Sequence, residues 1–333
     1  MPSVRLMEVC GTHTMAIARA GIKALLPEGV ELLSGPGCPV CVTPPETIDA
    51  VLELAMRPDV IISTYGDMVR VPGSVPGDNL ARRRALGAKV DIVYSPIDAI
   101  ETAKRNPDKE IVFLGVGFET TAPGTAAAVL SAKEENVRNF SVMSMLKVCE
   151  PAIRALISSP GFNVAGFLLP GHVATIIGQK GFEYLPLPGV IGGFEPGDVV
   201  RALKDLLGMI KNGECRVMND YERAVSYEGN LRAQAVMEEC FESCTDSWRG
   251  LGSLPESGLR LKAGLEDFDA WKKFSASPKK PAGMTACHCG DVICGKIGPR
   301  ECPLFGKRCV PEDPVGPCMV SSEGACAAEY KYS

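Results

Sequence analysis

Cys38 and Cys41 are separated by two residues in Gly35-Pro36-Gly37-Cys38-Pro39-Val40-Cys41, between an apolar run at 30–33 and a polar restart at Thr43. The glycines permit backbone angles that other residues avoid, and the prolines fix theirs. The pair is therefore expected on a stiff turn at a strand's end, with both sulfurs able to face one point. Such a turn suits disulfide exchange or metal ligation; two small buried side chains are the plainer reading. Cys10 and His13 make a second candidate, in Cys10-Gly11-Thr12-His13-Thr14. That run reads as the exit of a strand at 4–9 into a helix capped by Thr12 or Thr14. The first amides of a helix favour a thiolate, so Cys10 and His13 could bind one iron or activate one thiol.

The C-terminal stretch holds seven of the 14 cysteines, at 287, 289, 294, 302, 309, 318 and 326. Thiols at this density select iron–sulfur clusters or zinc. Structural zinc sites usually present short Cys-x2–4-Cys knuckles. Here the intervals are wide and irregular and have proline or glycine nearby, which suits loops wrapped around a cluster. Seven candidates for four positions leave the ligand choice open. Of the 3 histidines, His172 in Pro170-Gly171-His172-Val173 is expected at the carboxyl end of a strand, where open parallel sheets bind ligands. Glu119 and Thr120 occupy a similar turn, although a solvated carboxylate and a cap are the default there. No phosphate-binding glycine loop is present: Gly115-Val116-Gly117 lacks its third glycine. Nucleotide-driven chemistry is not expected.

The elements that must position these groups alternate. Strands are expected at 4–9, 30–33, 60–64, 90–94, 110–115, 140–145, 165–169 and near 189–192, mostly followed by a loop and a helical pattern. That alternation implies parallel sheets with crossover helices. The expected fold is α/β, with two similar parallel-sheet domains at 1–105 and 106–205, then a helical, cysteine-rich region at 206–333. From about 199 the pattern turns helical: 199–211 and 221–244 carry helical stripes, the latter placing Cys240 and Cys244 on one face as packing residues. A Lys- and Pro-rich stretch at 275–282 reads as a linker.

Composition bounds the function. With 46% hydrophobic and 23% charged residues the chain is that of a globular protein. No apolar run of membrane-spanning length and no signal-peptide pattern occur, so a cytoplasmic location and no membrane partner are expected. The net charge of -5 lacks long single-sign blocks, which argues against nucleic acid. So many cysteines in a cytosolic chain point to metal or redox chemistry.

Five motifs in order resemble the HypD family of hydrogenase maturation factors. They are Met7-Glu8-Val9-Cys10-Gly11-Thr12-His13-Thr14, the Cys38–Cys41 run, and Gly117-Phe118-Glu119-Thr120-Thr121-Ala122-Pro123. The tail adds Cys302-Pro303-Leu304-Phe305-Gly306 and Cys318-Met319-Val320-Ser321-Ser322-Glu323-Gly324-Ala325-Cys326. Family members usually carry an N-terminal helical segment before the first motif, whereas this sequence starts almost at that motif. The resemblance implies a scaffold, shared with a small HypC-like partner, on which an iron ion gains two cyanides and one carbon monoxide. The cyanide would come from a HypE-like donor. It further implies two α/β domains and a third with a [4Fe–4S] cluster on Cys287, Cys302, Cys309 and Cys326, with Cys289 a close rival of Cys287. Cys10 is then the iron's expected thiolate, with help from Cys38 or Cys41. His13 stands nearby as ligand, base or orienting group, and Cys38 and Cys41 form the redox pair. Glu119 and His172 join the catalytic candidates. A passive scaffold with a structural cluster, and a stand-alone thiol–disulfide oxidoreductase, are the alternatives.

Overall fold

The computed structural model describes residues 4–279 and 286–332. The chain begins with β1 (Val4–Glu8), α1 (Gly11–Arg19), β2 (Val30–Ser34), α2 (Pro39–Val42), α3 (Pro45–Ala55) and β3 (Val60–Thr64). Then come α4 (Leu80–Ala85), β4 (Lys89–Ile92), α5 (Pro96–Arg105), β5 (Glu110–Gly117), α6 (Ala122–Glu134) and β6 (Phe140–Leu146). Next are α7 (Cys149–Ile157), β7 (Gly166–Pro170), α8 (Gly171–Ile177), β8 (Gly189–Gly192), α9 (Pro196–Asn212) and β9 (Val217–Asn219). The remainder is α10 (Leu231–Cys240), β10 (Phe241–Trp248), β11 (Gly252–Leu261), α11 (Ala270–Lys273), α12 (Cys289–Ile293) and α13 (Ala325–Tyr332).

The fold is α/β, as expected, with two parallel sheets. One runs β2-β1-β7-β8-β9 and the other β4-β3-β5-β6. Inner strands such as β3, β5, β7 and β8 are near-continuous apolar runs because helices cover both faces; in β5 every residue from Ile111 to Gly117 is buried. The helices are equally legible locally. Pro196 opens α9, Gly213 closes it at φ 68°, and Val199, Leu203, Leu206 and Met209 form its buried stripe.

The sheets are not successive units of sequence. β1 and β2 pair with β7, β8 and β9, while β3 and β4 pair with β5 and β6. The division expected at 105/106 therefore cuts through the four-stranded sheet. Periodicity marks a strand but not its partner. β1 is buried and needs a neighbour on each edge, which it finds in β2 and, after the chain has built the whole second sheet, in β7.

The helix expected at 221–244 is also shorter. Asn230 caps α10 by accepting the Ala233 amide, and the helix stops at Cys240. β10 and β11 then form an antiparallel hairpin turned through Gly250 and Gly252, at φ 83° and 77°. Cys240 ends fully buried at a helix terminus and Cys244 half-buried on a strand, so they share no helix face. The linker expected at 275–282 lies partly outside the described residues; Lys279 in it pairs with Glu53 at 2.6 Å. Among the described residues, no helix is long and apolar enough to cross a membrane.

One apolar cluster runs from Met7 and Val9 through Cys38, Cys41 and Val42 to Cys289, Cys318, Met319 and Cys326. The cysteine-rich tail is thus packed onto the strand exits of the five-stranded sheet.

Candidate functional site

The turns leaving β1 and β2 are built against each other. Cys10, extended at φ -148°, occupies the N-cap of α1, and its side chain makes no capping bond. Neither Thr12 nor Thr14 caps, contrary to expectation: Thr14 Oγ1 donates to Glu8 Oε1 at 2.5 Å, and Thr12 Oγ1 to Glu323 Oε1 at 2.7 Å. Glu8, buried at the strand end, also accepts the Cys10 amide at 3.0 Å. Burial pushes the Glu8 carboxyl up to about 7, against the pull of Thr14 and Cys10.

The neighbouring turn fits this one at the backbone. The Gly11 amide donates to Gly37 O at 2.9 Å, and a Cβ on Gly37 would collide with the backbone of Val9 and Cys10. Only glycine allows that approach. One residue on, Cys38 and Cys41 form a disulfide with Cα atoms 5.2 Å apart. Cys38 caps the short α2, its sulfur accepting the Cys41 amide at 3.2 Å. The stiff turn expected from the prolines and glycines is present, and it brings the pair beside Cys10.

Cys10 departs from expectation in its acidity. Burial pushes its thiol up to about 12, and the nearby Glu8 and Glu323 carboxylates add to this. The amides of His13 and Thr12 pull the other way and do not prevail. A cation bound there would have to displace the proton. Cys38 and Cys41, bonded to each other, offer Cys10 no free thiolate as a co-ligand. Among the described residues no three His, Cys, Asp or Glu side chains surround a single-ion position.

His13 is fully buried, its Nε2 2.9 Å from Gly193 O. If Nε2 donates there, the lone pair on Nδ1 is left without a partner. Burial lowers its pKa to about 4, so the ring is neutral. Phe194, on the turn after β8, lies between His13 and His172, with centroids 4.7 and 3.9 Å away. His172, expected at a strand's carboxyl end, follows β7 directly and is exposed. Glu119 is buried at the exit of β5, where its Oε1 accepts the Cys149 amide at 2.9 Å. Cys149, at the exit of β6, is near enough to Cys10 for a charge on Cys10 to disfavour ionisation of Cys149. The carboxyl ends of both sheets therefore face a common region.

The tail forms a second group. Cys287, Cys289, Cys302, Cys309, Cys318 and Cys326 line one small hollow with Leu304, Phe305 and Met319. Amides already point at sulfur: Val315 N–H donates to Cys309 Sγ and Cys326 N–H to Cys318 Sγ, both at 3.3 Å. A Cβ on Gly316 would collide with Cys287 Sγ. Thiol donors, apolar walls and a glycine-fitted approach suit a thiolate-held cluster. The expected set Cys287, Cys302, Cys309 and Cys326 is brought together, and the hollow adds Cys289 and Cys318. Cys294 lies elsewhere, its sulfur 3.5 Å from Gly250 O. His288 pairs with Asp291 at 3.0 Å.

Sequence reasoning missed Glu323, which stands three residues before Cys326 and ties the tail to Thr12 beside Cys10. Its place inside a quoted motif was the available signal. Phe194 and Cys149 had none, because their neighbours come from other strands.

Comparison with known proteins gives one consistent result. The family model HypD, described as "Hydrogenase formation hypA family", matches residues 1–333. The chain is similar to the hydrogenase maturation factor HypD of Azotobacter vinelandii, 45% identical over 338 residues, covering 98% of this chain and 89% of that protein. It is also similar to HypD of Cupriavidus necator, 44% identical over 337 residues, covering 98% and 89%. HypD of Escherichia coli K12 is 43% identical over 334 residues, covering 99% and 89%.

Proposed function

Because this chain belongs to the HypD family of hydrogenase maturation factors, we propose that it is a platform on which the iron of a [NiFe] hydrogenase receives its cyanide and carbonyl ligands. A small HypC-like partner supplies a further thiolate, and a HypE-like carrier delivers the cyanide. The work takes place in the cytoplasm. The observation that carries the reading is the backbone fit of Gly37 against Cys10, which sets a reducible pair beside a buried thiol.

Cys10 holds the iron, the cargo of the site. Opening the Cys38–Cys41 bond consumes two electrons and two protons from an external reductant and leaves two thiols beside it. One of them, as thiolate, completes the protein's share of the coordination. His13 is neutral at physiological pH, and its free Nδ1 can accept a proton or bind metal. Glu119 and His172 frame the region from the other strand ends. Cys287, Cys302, Cys309 and Cys326 would hold a [4Fe–4S] cluster, and when bound it supplies one-electron transfer. Exchange with large protein thiols is disfavoured, since Cys41 is 0% and Cys38 4% exposed. That counts against a stand-alone oxidoreductase.

The test is Cys10→Ala purified without oxygen in complex with the HypC-like partner. It keeps its fold and cluster absorption and loses the extra iron with its cyanide and carbonyl infrared bands. Unchanged bands remove Cys10 from the site. A wild-type complex whose bands form with the Cys38–Cys41 bond intact throughout favours the passive scaffold.

A further inference from the structure

The tip of the hairpin β10–β11 touches both groups of cysteines. Arg249, in its turn, donates its amide to Val42 O at 2.8 Å. Its guanidinium donates through Nε and Nη2 to Thr43 O, at 3.2 and 3.0 Å. Val42 ends α2 and Thr43 follows it, so Arg249 takes up the two carbonyls that come directly after Cys41. The last carbonyls of a helix lack partners within it, and a cation is favoured beside them. On the other side of the tip, a Cβ on Gly250 would lie 2.6 Å from Gly290 O, and one on Gly290 2.9 Å from Gly250 Cα. Gly290 directly follows Cys289 in α12.

The base of the hairpin is held as well. Lys147, at the exit of β6 and 1% exposed, donates from Nζ to Asp246 Oδ2 at 2.6 Å and to Ser247 O at 2.8 Å. A buried ammonium is costly unless paired, and here its pairing holds β10 against the four-stranded sheet. Trp248 is buried, donates from Nε1 to Ser257 Oγ at 2.9 Å, and stacks on Phe118 with centroids 5.9 Å apart. Arg249 is thus carried on a braced strand.

We propose that Arg249 is a positioning residue that locks the Cys38–Cys41 turn to the cysteine-rich hollow, holding the disulfide in the geometry from which electrons reach it by way of the tail. This rests on the reading of the tail as a cluster holder and of Cys38 and Cys41 as a redox pair. Apolar packing also joins the two regions, through Cys41, Cys289 and Met319. Apolar contact is non-directional, whereas two nitrogens on Thr43 O and a glycine-to-glycine fit select one arrangement. Opening the bond takes two electrons and two protons, the electrons drawn singly from an external low-potential donor. A fixed contact presents the same geometry to both. Arg249 is also near enough to Cys287 and Cys289 for its charge to favour their thiolates.

The first measurement uses the full chain without a cluster and reads amide hydrogen exchange. Arg249→Gln should speed exchange about tenfold at 38–44 and 246–252, because the contact that closes both segments is lost. Arg260→Gln, at an exposed arginine of β11 that pairs with Glu242, is the control and leaves both segments unchanged. Wild-type exchange in Arg249→Gln overturns the lock.

The second measurement uses the anaerobically reconstituted chain with dithionite as donor, followed by alkylation of Cys38 and Cys41. In the wild type the disulfide should open faster with the cluster than without it. Arg249→Gln should keep its iron and sulfide and open the disulfide about tenfold more slowly, the order that a sub-ångström misplacement costs. Arg249→Lys keeps the charge and one donor and should recover part of the rate. Equal rates in the wild type and Arg249→Gln overturn the inference while the redox reading stands. Opening no faster with the cluster than without it overturns the redox reading, and hydrogen exchange still decides the lock. If Arg249→Gln does not fold, Arg249→Lys decides by itself, since one ammonium cannot place two nitrogens on Thr43 O. Wild-type exchange and rate in that variant overturn the inference.

Discussion

The cleft around Cys10 and the hollow around Cys302 both gather cysteines, yet they are built in opposite ways. In the cleft the groups sit on the strand exits and in the first turns of the helices that follow, and backbone fits to backbone at Gly37. In the hollow the thiols hang on loops and short helical turns; Gly324 there also fits against the Cys318 backbone, but Gly316 approaches the tip of the Cys287 side chain. A backbone clash cannot be relieved by a rotamer change, whereas a sulfur can swing away. The Gly37 contact is therefore fixed by the backbone, whereas the contact of Gly316 with Cys287 can yield.

The largest effect that would break this contrast is Gly37→Ala. The added methyl meets fixed backbone, so the loss should be about 3 kcal/mol of stability, measured by urea unfolding, with release of the Cys10 and Cys38–Cys41 turns. A variant as stable as the wild type would mean that the cleft is as compliant as the hollow.

Next in size is a pair of opposed pH effects inside the cleft. Glu8 has a raised pKa, about 7 against an ordinary 4.5, so the folded state holds a proton that the unfolded chain releases. Its contribution is present below 4.5 and lost as pH rises to 7. His13 has a lowered pKa, about 4 against 6.5, so the unfolded chain holds the extra proton and stability is lost as pH falls from 6.5 to 4. Between pH 4.5 and 6.5 the two slopes cancel. Glu8→Gln should leave the His13 slope alone, a rise of about 1.4 kcal/mol per pH unit at most. His13→Gln should show the reverse. Urea midpoints across this window check both, and three parallel curves would show that neither group titrates as its burial requires.

The smallest effect on stability belongs to the tail. Gly316→Ala should change the unfolding of the cluster-free chain by less than about 1 kcal/mol, since Cys287 can turn away. It should nevertheless cut the iron and sulfide retained after anaerobic reconstitution, because a ligated Cys287 cannot turn. Full retention would separate Cys287 from the ligand set and favour Cys289.

Local chemistry was legible where neighbours in sequence are neighbours in space. The Gly-Pro-Gly-Cys-Pro turn, the Cys10 exit from β1, the strands from 60–64 to 140–146 and the span of α9 follow from dihedral limits and periodicity. The hairpin β10–β11 was hidden by a helical stripe that stopped at Cys240. Its Gly250-Leu251-Gly252 turn was the overlooked signal.

What the sequence determined by itself is therefore where the thiols gather and the local geometry of each turn that carries them. These depend on side-chain type and on backbone preference within a few residues. Only the tertiary structure decided that β7 returns to flank β1, that Glu323 reaches Thr12, and that Glu119 meets Cys149 from another strand exit. Those contacts depend on which apolar faces find each other over tens to hundreds of residues. Burial then sets the protonation of Cys10, Glu8 and His13 against their intrinsic tendencies, which composition and spacing do not encode.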